Sequence, residues 1–352
     1  MNKYINSLQS YILPSLTGRS SLLESVALHW GRVCFFLLSL LLFAACSSDN
    51  DEQVQQPQPE KSYPLTIEVT ENPMTGDGEN SSNRAAIINN SSLSGFNMYY
   101  VYGSDPITSG ARTATKDEDG KWTGSADWPD GTAMIDWYAY TDGTFQLNGG
   151  NPYINFTVVE DVSNQKDLLV ATTTASFTDN GGKLTFNFDH ACAALRFWFK
   201  KSTNMSGYKL DIKEVVLCNV AKQAKYYYAS GWDDPYSDRS VYSLYSSSSN
   251  YTLGSESYIA ADGGTPSYLF LIPQTLTAWD TSTAIASATT QTYLKIKCTV
   301  TKTSTSTVIH NDTYAYIPFA ATLEAGKQYD VKINIGKNSL YSGPGIKIIP
   351  AS

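Results

Sequence analysis

Leu65-Thr-Ile-Glu-Val-Thr70 alternates apolar and polar residues one for one. Leu65, Ile67 and Val69 fall on one side of an extended chain, and Thr66, Glu68 and Thr70 on the other. A period of two marks a half-buried β-strand, because successive side chains point to opposite faces. The same reading extends to Phe96-Asn-Met-Tyr-Tyr-Val-Tyr102 and to residues 133–140. Leu184, Phe186 and Phe188 share a face, as do Leu195, Phe197 and Phe199. Residues 212–220, 268–272 and 293–300 follow, and in 328–335 Tyr329, Val331, Ile333 and Ile335 alternate with Asp330, Lys332 and Asn334. Asp179-Asn-Gly-Gly182 reads as a tight hairpin turn, since these residues accept positive φ. The Ser-rich stretch 230–254 reads as a long loop. Spacing of 3.6 residues is almost absent, so the expected fold is all-β, with two β-sandwiches.

Composition sets the limits. A chain of 352 residues, 42% apolar, is long enough for about two domains with real cores. A net charge of −8 argues against nucleic acid, which needs a basic face to displace counterions. Only three histidines occur, which disfavours chemistry built on several of them. No HExxH, GxSxG, Walker A or Rossmann glycine pattern is present, and no cofactor or metal is expected. Asp117-Glu-Asp-Gly120 and Asp233-Asp234 lack the spaced ligands of a calcium loop and read as solvated turns. The chain is not expected to be an enzyme.

The first 62 residues read as an address and a tether. Val33 to Ala45 form an uninterrupted run of apolar and small residues. About 13 residues at 1.5 Å each span roughly 20 Å, short of a bilayer core, so a signal-peptide h-region fits better than a membrane span. The run ends Phe43-Ala-Ala-Cys46, which resembles a bacterial lipobox with Phe in place of the usual Leu. Residues 1–45 are then a lipoprotein signal peptide and Cys46 the lipidation site. An ordinary signal peptide, or a buried helix that happens to end in Cys, is the plainer alternative. Residues 46–62 form a polar tether, whose acidic start resembles a surface-export signal of lipoproteins on the outer membrane. Cys192, Cys218 and Cys298 sit in strand-like runs without a CxxC spacing and read as buried free thiols.

Four spaced groups of segments carry a more specific signal. The first runs from Asn83-Arg-Ala85 to Gly95-Phe96. The second is Trp128-Pro129 with Ile135-Asp-Trp-Tyr-Ala-Tyr140. The third is Gln165-Lys-Asp-Leu-Leu-Val-Ala171 with Leu184-Thr-Phe-Asn-Phe-Asp-His190. The fourth combines Ser230-Gly-Trp232, Leu271-Ile-Pro-Gln274 and Ala325-Gly-Lys-Gln-Tyr329. In this order they resemble the fimbrillins, lipoprotein subunits of type V pili.

The resemblance implies two tandem transthyretin-like β-sandwich domains, at 63–188 and 189–352, without catalysis. It also implies assembly by strand exchange, in which a trypsin-like protease cuts after an Arg and releases the first strand. A neighbouring subunit's strand then fills the groove by β-augmentation. On this sequence the removable strand is Leu65, Ile67 and Val69, the cut lies between Arg84 and Ala85, and the donor is 345–352 with Ile346, Ile348 and Ile349. Plainer readings are an uncut loop at Arg84 and a C-terminal run that closes its own sandwich. The expected partners are other pilin subunits and, through lipid, the outer membrane. The alternative is a non-polymerising surface lipoprotein or tip adhesin that holds a glycan or host protein, with Tyr228, Trp232 and Tyr236 as candidate aromatic contacts. His190 is expected to be structural, bonded to nearby backbone.

Overall fold

Alternation of the kind seen at 65–70 recurs in several of the longer strands, among them Asn151–Thr157, Lys183–His190 and Tyr293–Lys302. A computed structural model describes residues 63–76, 88–89, 91–102, 112–124, 127–235, 237–264, 267–343 and 346–347. The candidate sites Cys46, Arg84, Ala85, Tyr236, Ile348 and Ile349 lie outside the described residues.

The first strands are β1 (Thr66–Glu71), β2 (Thr75–Gly76), β3 (Gly95–Val101), β4 (Arg112–Lys116), β5 (Trp122–Gly124) and β6 (Ile135–Tyr140). Next come β7 (Thr144–Asn148), β8 (Asn151–Thr157), β9 (Leu169–Ala175), β10 (Lys183–His190), β11 (Ala193–Lys201) and β12 (Tyr208–Ala221). Then follow β13 (Gln223–Tyr227), β14 (Gly231–Trp232), β15 (Arg239–Thr252), β16 (Ile259–Ala260), β17 (Leu269–Leu271) and β18 (Thr275–Leu276). The last are β19 (Tyr293–Lys302), β20 (Thr307–Pro318), β21 (Ala321–Thr322), β22 (Lys327–Ile335), β23 (Tyr341–Gly343) and β24 (Ile346–Lys347). The fold is all-β.

Seven strands close into a barrel in the order β1-β10-β9-β6-β3-β4-β5. Its inward residues include Ile67, Phe96, Met98, Trp137, Phe186 and Phe188, all buried in one apolar cluster. Phe96 meets Trp122, Phe186 and Phe188 edge-on or tilted, with ring centroids 5.0 to 5.4 Å apart. Such aromatic packing adds about 0.5–1.5 kcal/mol per pair beyond area burial.

A second, larger core is enclosed by the remaining sheets. These are β14-β13-β8-β7, β16-β11-β22-β2 with β17 also on β11, β15-β12-β19-β20-β23-β24, and the short pair β18-β21. The two cores do not divide the chain at residue 188. Phe145, Ile154 and Phe156 of β7 and β8 belong to the second core, although they precede β9 and β10 of the barrel. Their register with β13, from Gln223↔Thr157 to Tyr227↔Tyr153, accounts for this.

One local expectation is refined and one corrected. Asp179-Asn-Gly-Gly182 lies in the hairpin connection between the antiparallel β9 and β10, but not as a tight loop. Residues Phe177–Asn180 form one helical turn, capped by the Ser176 side chain and ended by Gly181 at φ 60°. Positive φ at the glycines is present, but the local bond of the Ser176 side chain to Asp179 N selects a helix start rather than a two-residue loop. The stretch 230–254 is not a loop, since it contains the 14-residue β15. Most β15 side chains are exposed or half-buried, which lets the strand be serine-rich. Tyr242 is nevertheless fully buried, and ladder hydrogen bonds need no particular side chain.

Phe186→Ala is expected to destabilise the protein by about 3–5 kcal/mol, because it empties a ring-sized volume in the barrel. Thr185→Ala on the outward face of β10 should change stability by less than about 0.5 kcal/mol. Chemical denaturation of the two variants beside the parent checks this.

Candidate functional site

The segment 63–76 is the structural focus, because it runs as a strap across both cores. β1 lies between β10 and β5, parallel to β10 from Thr66↔Lys183 to Glu71↔Phe188. On its other side one pair, Ile67↔Trp122, closes the barrel. The candidate removable residues are thus brought together inside a sheet. Ile67 and Val69 are buried in the barrel core and Leu65 packs against it. Burial of two such side chains is worth roughly 3–6 kcal/mol. Gly124 on β5 fits this packing, since a Cβ there would stand 2.9 Å from Ile67 Cδ1 and 3.3 Å from Leu65 Cδ2.

Each end of the strap is tied down. At the start, Trp128 N donates to the Tyr63 carbonyl at 2.9 Å, and the Tyr63 and Phe177 rings meet at 5.1 Å. At the far end, Asn72 N donates to Phe188 O at 2.8 Å, and Asn72 Nδ2 donates to Asp189 Oδ1 at 2.7 Å. Met74 then enters the second core, and β2 adds to the edge of β22 in parallel. Lys327 Nζ donates to Thr75 Oγ1 at 2.9 Å. Gly76 adopts φ 137°, and a Cβ there would lie 2.2 Å from the Gln328 carbonyl oxygen, so only glycine permits this approach.

A buried polar cluster marks the point where β1 leaves the barrel. His190 Nδ1 lies 2.5 Å from Asp167 Oδ2, and His190 Nε2 lies 3.0 Å from Glu71 Oε1. The His190 and Asp167 side chains are fully buried. Asp167 Oδ1 has no hydrogen-bond partner among the described residues. Burial pushes the Asp167 carboxyl up, against the pull of His190. Burial alone would lower His190, but the carboxylates of Asp167 and Glu71 outweigh it and raise the imidazole above 6.5. Both directions mean that the folded cluster holds protons more tightly than the unfolded chain.

This trio was not legible as a site. His190 bonds two acids instead of backbone. The available signal was phase: Glu71 continues the Leu65, Ile67, Val69 series, and an acid on the apolar side of a strand calls for a buried partner. Gln165 also acquires a role, since its Oε1 accepts from Phe270 N at 2.9 Å and its Nε2 donates to Val159 O at 2.9 Å.

The other candidates are placed as follows. Ile346 lies in β24, which pairs with β23 at the edge of the six-stranded sheet. Tyr228 and Trp232 are half-buried against the second core. Tyr228 Oη donates to Ala139 O at 2.9 Å, and Trp232 Nε1 donates to Ala191 O at 2.6 Å. Their polar tips are therefore engaged inward, and they do not form an open aromatic platform. Cys192, Cys218 and Cys298 are buried and free, and burial raises each thiol.

Comparison with known proteins gives one family and a set of folds. A profile described as fimbrillin-like matches residues 89–349. No curated protein matches the chain. A candidate cell adhesion protein from Parabacteroides distasonis aligns with TM-score 0.50 and 10% identity over 80-odd per cent of this chain (84%) and 94% of its own. A fimbrial protein from Bacteroides vulgatus aligns with TM-score 0.48 and 16% identity, covering 77% of this chain and 95% of its own.

The raised proton affinity at His190 has a defined sign. Its stabilisation is fully present below the unfolded value near 6.5 and is lost as pH rises through the higher folded value. Asp167 acts in the same direction. The stability advantage of the parent over His190→Gln should therefore shrink as pH is raised above 6.5, measured by urea unfolding across a pH series.

Proposed function

The chain belongs to the fimbrillin-like family, and from that premise we propose that it is a structural pilus subunit whose first strand is exchanged for one from another subunit. Family membership supports a fimbrial-type adhesion protein. The finer reading rests on one observation: β1, at the start of the described chain, fills a slot in the barrel between β10 and β5. Taking β1 away would uncover two strand edges and the apolar face around Phe96, Phe186 and Trp122. An open edge beside an apolar trough accepts an extended segment by β-augmentation.

The remaining steps are those that the family resemblance implies for these residues. The chain is exported through a signal peptide (1–45), lipidated at Cys46 and held at the outer membrane by the tether 46–62. A trypsin-like protease cuts between Arg84 and Ala85. The strap leaves with Leu65, Ile67 and Val69, and the donor to a neighbour is 345–352. We read the two cores as the family's pair of transthyretin-like sandwiches, the first with its edges joined into a barrel by the Ile67–Trp122 pair, and as units that transmit load along the polymer and carry out no catalysis.

Sequencing of the protein recovered from fimbriae should give Ala85 as the first residue. Cells making a chain without 345–352 should shed or lack polymer while still carrying the subunit on their surface. A lipidated Cys46 at the N-terminus of all recovered protein, with no polymer, would instead point to a surface lipoprotein that acts alone.

A further inference from the structure

Strand removal would break the buried cluster unevenly. Glu71 belongs to the strap, whereas His190 is on β10 and Asp167 lies just before β9. Departure of β1 takes the acceptor of His190 Nε2 and leaves Asp167 on Nδ1. The vacated trough would thus run along Leu184, Phe186 and Phe188 and end at the imidazole N–H of His190, open to water until a new strand covers it. An occupant without an acid at this point would bury that donor unpaired, which is costly, and more so when it carries charge. Asp189, the neighbouring acid on β10, faces the other way and bonds Asn72, itself part of the strap. Lys183 and Glu68 pair on the outward face.

We propose that His190, backed by Asp167, selects the incoming strand: it takes a strand from another subunit that carries a carboxylate in register with Phe188. The match required is three apolar residues at alternate positions followed, in the same phase, by Asp or Glu. Leu65, Ile67, Val69 and Glu71 of the resident strand have this form. Segment 345–352, Gly-Ile-Lys-Ile-Ile-Pro-Ala-Ser, has apolar residues but no Asp or Glu. It is therefore the weaker occupant of this groove, and the favoured filler comes from a different, acid-bearing subunit. The selection rests on the strand-exchange reading and narrows it.

The test uses the full chain, with a site for a sequence-specific protease placed within residues 77–83. After nicking, labelled peptides are allowed to exchange into the slot and are followed by fluorescence anisotropy. The peptides are residues 63–74 as they stand, the same with Glu71→Gln, the same with Ile67→Asn, and residues 345–352. The unaltered peptide should enter, and the Glu71→Gln peptide should bind about ten- to a hundredfold more weakly. The 345–352 peptide should also bind more weakly than the unaltered one. In a His190→Gln chain the unaltered and Glu71→Gln peptides should differ by less than about twofold, as expected when a coupled partner is gone. Equal binding of the Glu71→Gln and unaltered peptides on the parent chain overturns the selection. If Ile67→Asn is lost in that same experiment, strand exchange itself stands. If Ile67→Asn binds like the unaltered peptide, the exchange reading falls and the selection with it.

Discussion

The barrel is closed by one antiparallel pair, Ile67 opposite Trp122, and everything argued about assembly depends on that weak seam. On the other flank β1 is bonded along its whole length to β10, in parallel. The remaining barrel neighbours β9, β6, β3, β4 and β5 are joined antiparallel to one another. β1 can therefore be lifted out without unthreading any other pairing. What remains is an open sheet with two edges and an uncovered apolar face, a form that proteins seldom leave exposed.

Exchange of such a strand is decided by differences, because ladder hydrogen bonds are similar for any extended occupant. The resident strand has apolar anchors and ties at both ends, and while the chain is intact it also has proximity. A tethered segment competes at an effective concentration that a free neighbour cannot easily match. Cutting the connection removes that advantage and leaves the anchors, the Asn72 and Thr75 bonds and the His190 contact to compete on equal terms. A cleavage-triggered subunit is thus more plausible physically than one that relies on simple competition between intact chains.

Period-two alternation was a good guide wherever one face is buried and the other wet. β1, β3, β6, β10, β19 and β22 were legible for that reason; β11 was legible by its apolar phase although both of its faces are largely buried, with Arg196 paired to Asp330. Alternation failed at β15, where few side chains are buried and the run looks like a linker. At 177–182 the hairpin connection was legible, but not the helical turn that Ser176 caps within it. The path of 72–76 from the barrel to β22 could not be read, since it is set by backbone bonds such as Thr75 N to Gly326 O. The polar cluster was hidden because its members are 96 and 23 residues apart in sequence, and alternation does not report pairing between distant acids and a histidine.

Segments 165–171 and 184–190, which carried part of the family resemblance, converge on that cluster through Asp167 and His190. A barrel of this size could be filled by hydrocarbon alone, and a buried ion pair is weak support for stability, since desolvation offsets much of the attraction. Covering the slot with a strand that lacks an acid is a different matter, because His190 is then buried without its second partner. The arrangement therefore penalises an occupant that brings no carboxylate. On the strand-exchange reading, that asymmetry distinguishes occupants: a strand without an acid is at a disadvantage against one whose carboxylate reaches His190.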